Sequence, residues 1–136
     1  MYYETQYRVP YADTDKMGVV YYANYLEYFE RGRTEMMRDA GLSYSEMEKH
    51  GFMLPVSEAY CKYYSSAKYD DLLTFRSYIP SYSRVKFTIR TEVYCKDKLL
   101  AAGHVVLGCV DMSFKVTRMP AELADFCKKC YYQPEN

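Results

Sequence analysis

"YADTDKMGVVYYANYLEYFERGRTEMMRDAG", residues 11–41, sets two carboxylates and a lone glycine directly ahead of an amphipathic run. From about Tyr22 to Ala40, Leu26, Phe29, Met36, Met37 and Ala40 recur at helical spacing. Glu27, Glu30, Arg31, Glu35, Arg38 and Asp39 take much of the remaining surface, and Glu27 with Arg31 makes a favourable i,i+4 pair. Gly41 supplies the stop. A helix of that span is about 28 Å long. Gly32 falls on its apolar stripe, where glycine costs about 1 kcal/mol. Its presence predicts close approach of a sheet to the helix.

Outward from this helix the period changes. Residues 3–9 read as a first strand and residues 12–21 as a loop, with Gly18 free to adopt a backbone conformation closed to other residues. "SYSE" at 43–46 has capping-box spacing and opens a short second helix towards His50. "FMLPVSEAYCKYY", "LLTFRSYI", "RVKFTIRTEVYC" and "LLAAGHVVLGCVDMSFKVT" are strand-like. The third alternates Val85, Phe87, Ile89 and Val93 with Lys86, Thr88, Arg90 and Glu92, so one face is dry and one wet. The fourth is apolar on both faces, which predicts a central place. "KDK" at 96–98 reads as a hairpin turn, Pro80–Ser81 as a corner, and Pro120 as the start of a terminal helix through Lys129. The sum is α+β: a long helix against a five- to six-stranded antiparallel sheet, in one domain over residues 1–136.

Bulk composition narrows the function. With 49% apolar residues a core needs no staples. Eighteen basic residues balance 18 acidic ones, so no global charge draws in nucleic acid or an acidic membrane. Five cysteines without a leading apolar run argue for a reducing cytoplasmic setting, and no stretch has membrane-spanning length. Cys127 and Cys130 form a lone "CKKC", and His50 and His104 lie far apart, so no metal and no cofactor are assigned. Eighteen tyrosines with no tryptophan suit a half-wet sheet face or a subunit contact.

The chemistry gathers at the helix start. Unpaired amides there carry about half a positive charge and favour an anion, or an oxygen becoming one. Asp13 and Asp15 lie close by as base or nucleophile. A carboxylate beside an oxyanion site is what acyl transfer to water requires. Asp ahead of a helix also serves as a cap or turn residue, and spacing alone leaves both readings open.

"DTDKMGVVYYANYLEYFERGRTEMMRDAGL" together with "LPVSEAYCKYYSSAKYDDLLTF" resembles the hotdog-fold acyl-CoA thioesterases of the 4-hydroxybenzoyl-CoA thioesterase type, including the branch associated with Tol-Pal. The resemblance runs to about residue 118. It implies a hotdog fold, a long central helix wrapped by the sheet, and hydrolysis of an acyl-CoA thioester. It also implies that Asp15 is the catalytic nucleophile or general base, and that the backbone amide at the helix start, which maps onto Tyr22 as the cap with Ala23 beginning the helix and bordering the substrate, polarises the carbonyl. Gly18 matches the family's loop glycine. Many relatives carry His where this chain has Tyr22, and a phenol cannot relay protons near neutrality as imidazole does. A backbone role at that position survives the change.

With zero net charge, the phosphates of coenzyme A need local cations, and Arg84 and Lys86 lie where the family contacts its nucleotide. Asp70 and Asp71 match the family's "Y-D-D" and read as turn residues; Glu58 lies on a strand that could border the cleft. Exposed edges and aromatics predict edge-to-edge pairing in a two-fold dimer, and the resemblance implies a homodimer or homotetramer, with Asp15 of one chain facing the helix start of the other. Two other functions fit the same fold. One is a non-catalytic acyl-CoA or acyl-carrier binding protein, and the other a hydratase-dehydratase, which normally pairs Asp with His.

Overall fold

A computed structural model describes residues 1–134. Five antiparallel strands form the main sheet: β1 (Tyr3–Arg8), β3 (Val56–Tyr63), β4 (Leu72–Tyr82), β5 (Lys86–Cys95) and β6 (Lys98–Gly108). Their order is β1-β4-β5-β6-β3. A separate two-stranded ribbon pairs β2 (Phe52–Met53) with β7 (Val110–Asp111). The helices are α1 (Asn24–Asp39), α2 (Tyr44–Lys49) and α3 (Ala121–Cys130). This is the α+β layout read from the sequence, with five strands in the sheet. The strand run apolar on both faces, β6, is interior but lies beside the edge strand β3 rather than at the centre.

The helix α1 has 16 residues, about 24 Å at the usual rise, and is shorter than the expected Tyr22–Ala40 span. Tyr22 and Ala23 sit in a tight turn closed by i→i+3 bonds, and Gly41 leaves the helix at φ +79°. Its stripe also differs. Leu26 is exposed, whereas Tyr25 and Tyr28 are buried beside Phe29, Met36 and Met37. Periodicity ranks a tyrosine below a leucine, but a ring whose hydroxyl finds a partner can go inside.

Gly32 behaves as its position predicts. A Cβ there would lie 2.8 Å from Ser77 Oγ, 3.6 Å from Phe75 Cβ and 3.7 Å from Thr91 Cγ2. Ser77 and Thr91 are buried and share a 2.9 Å hydrogen bond, so neither swings aside freely. Gly103 on β6 makes the second close approach, since a Cβ would collide with the Tyr60 carbonyl and lie 2.7 Å from the Phe29 ring.

Two turn assignments separate. Lys96–Asp97 forms the expected β5–β6 hairpin turn, with Lys96 at φ 56°. Pro80 and Ser81, expected as a corner, lie inside β4 where its register to β5 shifts between Tyr78 and Ser81. A bulge tolerates a residue without an N–H, and the chain reverses only at Ser83–Val85. The α2 cap is as read, with Ser43 Oγ accepting from the Glu46 amide at 3.3 Å.

Replacing Gly32 with Ala should destabilise the protein by about 1–3 kcal/mol through overpacking. Urea unfolding checks this, with the loss appearing in the midpoint and not in the slope.

Candidate active site

The acidic turn and the helix start are parts of one small clamp. Thr14 and Val20 form an antiparallel bridge. On either side, the Asp15 amide donates to Val19 O at 2.9 Å and the Tyr21 amide to Asp13 O at 2.9 Å. The reversal between them is closed by the Gly18 amide donating to Asp15 O at 3.0 Å, with Gly18 at φ +80°. Gly18 therefore shapes the turn, and its own N–H is committed. Asp15 Oδ1 accepts from the Met17 amide at 2.8 Å, a local turn bond of the kind Asp favours. Its other oxygen has no partner among the described residues.

The helix begins without a capping side chain. Ala23 occupies the cap position and offers none. The amides of Asn24, Tyr25 and Leu26 donate to the carbonyls of Tyr21, Tyr22 and Ala23 at 2.9, 3.3 and 3.2 Å. The amides of Tyr22 and Ala23 have no acceptor among the described residues. They stand at the positive end of the α1 dipole. The Tyr22 side chain is exposed, its ring 4.7 Å from that of Tyr21. The Tyr21 hydroxyl is pushed up mainly by its hydrogen bond with Tyr22, and the negative charge of Asp15 adds to the effect.

Asp13 is the acid that holds the structure. Its Oδ2 accepts from Tyr28 Oη at 2.8 Å and Tyr7 Oη at 3.0 Å, while Asn24 Nδ2 donates to its carbonyl at 3.2 Å. Strand β1, the turn and α1 meet on this one residue. Burial, followed by the bond to Asp13, raises the pKa of both phenols, so they remain donors throughout the neutral range. Spacing alone could not tell Asp13 from Asp15. The signal lay in Tyr7 and Tyr28, which only the fold brings to the carboxylate.

Arg84 and Lys86 are not near this corner in a single chain. The clamp docks on the segment ahead of β4, with the Val20 amide donating to Ala67 O and the Val9 amide to Asp71 O, each at 2.9 Å. Arg84 lies beyond the far end of β4, roughly 35 Å away at the usual strand rise. There it lines a cavity of about 360 Å³ with Tyr82, Ser83, Met119 and a second arginine, Arg118. Sequence reasoning passed over Arg118 because it is 34 residues from Arg84. The Met119 amide, donating to Arg84 O at 2.8 Å, brings the two together.

The remaining candidates have local employment. Asp71 Oδ2 accepts from the Lys68 amide at 2.9 Å. Glu58 bonds His104 at 2.6 Å on the sheet face away from α1, and His50 ends α2. Cys127 and Cys130 are buried on α3, and burial pushes the Cys127 thiol up to about 12. Two polar grooves flank β1, of about 580 and 630 Å³, and neither is lined by Asp15 or the helix start.

The chain belongs to the thioesterase-like superfamily, whose pattern it matches over residues 9–127. Among similar proteins, a putative esterase of Aquifex aeolicus is 31% identical over 121 residues, covering 89% of this chain and 94% of that one. The acyl-CoA thioester hydrolase YbgC of Escherichia coli O6:H1 is 34% identical over 119 residues, covering 85% and 88%. The crystal structure of DHNA-CoA thioesterase from Staphylococcus aureus superposes with a TM-score of 0.87 at 31% identity, covering 94% of this chain and 89% of that one. No helix among the described residues is long and apolar enough to cross a membrane.

The two acids should separate in a stability assay. Asp13→Ala leaves the buried Tyr28 hydroxyl without its acceptor and should cost about 1–3 kcal/mol. Asp15→Asn keeps a turn-forming side chain and should change stability by less than about 1 kcal/mol. Parallel urea titrations of the two variants check the contrast.

Proposed function

We propose that the protein is a single-domain hotdog hydrolase of acyl-CoA thioesters, releasing free acid and coenzyme A. One observation carries this reading. Asp15, with an oxygen left uncommitted, is clamped on the same short hairpin that leads into two amides with no acceptor among the described residues.

In this mechanism the thioester carbonyl oxygen rests against the Tyr22 and Ala23 amides. Either Asp15 attacks the carbonyl carbon itself or it takes a proton from a water that attacks. In both cases the carbonyl π pair moves onto oxygen, where the amides and helix dipole stabilise it. Collapse expels the thiolate of coenzyme A, which is a good leaving group and needs little acid assistance. If Asp15 attacks, the mixed anhydride then adds water and returns the carboxylate. Tyr22 contributes through its backbone, and its phenol has no required proton transfer. Gly18 supplies the turn that lets Asp15 face the helix. Neither histidine borders this corner, which disfavours an Asp–His hydratase-dehydratase.

The site is completed by a second copy. Strand β3 is an edge strand exposed along almost its whole length, with Val56, Tyr60 and Tyr63 open to solvent. Beside it Tyr21 and Tyr22 are also exposed, together with the edge a patch unusual on a free monomer. Antiparallel pairing of two β3 edges about a two-fold axis covers the edge and much of the patch. It sets the Val56 end of one chain against the Tyr63 end of the other. Val56 pairs with Leu107 and Lys86 with Gly108, so Lys86 and Arg84 lie at the Val56 end. They sit about 10 Å in from the edge, within reach of the phosphates of a coenzyme A whose thioester is at Asp15 of the other copy.

Asp15→Asn should lower thiol release from an acyl-CoA panel by at least about 100-fold, while binding of a non-hydrolysable acyl-CoA persists. Full activity in that variant would refute the proposed chemistry. Co-expressing Asp15→Asn with Arg84→Ala/Lys86→Ala tests the pairing. Mixed dimers should regain about half the wild-type activity, because one of the two sites then holds both native sets. Activity no greater than the parents' would put acid and cations in the same chain's site.

A further inference from the structure

We infer that Tyr63 is a positioning residue for the reaction: by holding the Tyr22 carbonyl, it sets the Tyr22–Ala23 peptide plane and aims the Ala23 N–H at the substrate oxygen. The inference rests on the thioesterase reading above and assigns a role that neither the acid nor the helix start explains.

Tyr63 is the last residue of β3, and its hydroxyl donates to Tyr22 O at 2.8 Å across 41 residues of sequence. The Tyr22–Ala23 peptide is trans, as are all the described peptide bonds. In a trans unit the carbonyl and the following N–H point in opposite directions. Whatever fixes Tyr22 O therefore fixes the direction of the Ala23 N–H.

Little else fixes it. No side chain caps α1, and among the described residues the only other donor to Tyr22 O is the Tyr25 amide, at 3.3 Å the longest of the three bonds in that first turn. An ordinary cap side chain would accept from the first amides and so occupy the groups the chemistry needs. Here the same end is restrained from the carbonyl side, which leaves the amides open. Tyr63 is itself braced. Its ring meets that of buried Tyr25 edge-on at 5.2 Å, and Tyr25 Oη accepts from the Ala67 amide at 3.2 Å. Desolvation, helped by the neighbouring Cys61, pushes the Tyr63 phenol up to about 12, so it remains a donor at every working pH. Tyr64, the next residue, has an exposed ring beneath Lys62 and no hydrogen bond from its hydroxyl among the described residues, which makes it the natural control.

The test is steady-state thiol release by the full-length protein, in the oligomeric form it adopts, as Tyr63→Phe and Tyr64→Phe. Losing an oxyanion donor outright slows catalysis by roughly 100- to 1000-fold, and loosening its aim should do less. The expected result for Tyr63→Phe is a kcat lower by about three- to thirty-fold relative to wild type. KM should stay within about twofold, and melting temperature and oligomeric state should be unchanged; Tyr64→Phe should match wild type throughout. A merely structural role would lower the melting temperature or raise KM alongside any fall in kcat, and that pattern overturns the inference. So does a Tyr63→Phe enzyme with wild-type kcat. If Tyr63→Phe is fully active while Asp15→Asn is dead, only the aiming role fails; if Asp15→Asn is also active, the thioesterase mechanism beneath it fails.

Discussion

The rest of the site depends on the short antiparallel bridge that folds residues 13–15 back onto residues 19–21. A carboxylate in a surface loop is ordinarily hydrated and loosely placed, and a helix start is ordinarily closed by a capping side chain. The Thr14–Val20 bridge changes both at once. It fixes Asp15 on the rim of a closed turn and delivers the chain to α1 with Ala23 at the cap. The clamp is anchored from beneath by Asp13 and the Tyr7 and Tyr28 hydroxyls, and from the side by Ala67 with Val20 and Tyr25. In the proposed mechanism the helix dipole supplies the electrostatics without a charged side chain.

This also accounts for the abundance of tyrosine, which composition could not explain. The ring buries apolar area while the hydroxyl acts as a directed bond donor. Tyr7 and Tyr28 hold Asp13, Tyr63 holds the Tyr22 carbonyl, and Tyr25 accepts from Ala67. On the far face of the sheet Tyr78 and Tyr94 donate to Glu92, and Arg76 lies over the Tyr2 ring. Leucine or phenylalanine at these positions would fill the volume but remove the donors to Asp13 and Glu92, a donor to the Tyr22 carbonyl and the acceptor of the Ala67 amide.

How much could be read beforehand follows from the range of each interaction. Local rules sufficed for the Ser43 cap, the Lys96 turn, the strand alternation of β5 and the packing demand of Gly32. They failed where a distant partner decides. Tyr25 and Tyr28 displaced Leu26 from the buried stripe because their hydroxyls are satisfied from residues 67 and 13. Pro80 stayed within a strand because a bulge absorbs it. Asp13 and Asp15 look alike in sequence and diverge only when two phenols from β1 and α1 converge on one of them. The Arg84–Arg118 cavity needed the pairing of two segments that share no local pattern.

In the proposed mechanism the acid and the free amides act on one thioester. A crystal structure with an acyl-CoA analogue in which a methylene replaces the sulfur, leaving a ketone, tests this directly. The carbonyl oxygen should lie about 2.7–3.1 Å from the Tyr22 or Ala23 nitrogen. A carboxylate oxygen of Asp15, or a water it holds, should lie about 3–3.5 Å from the carbonyl carbon. A carbonyl bound elsewhere, with those amides still solvated and Asp15 turned away, would contradict it.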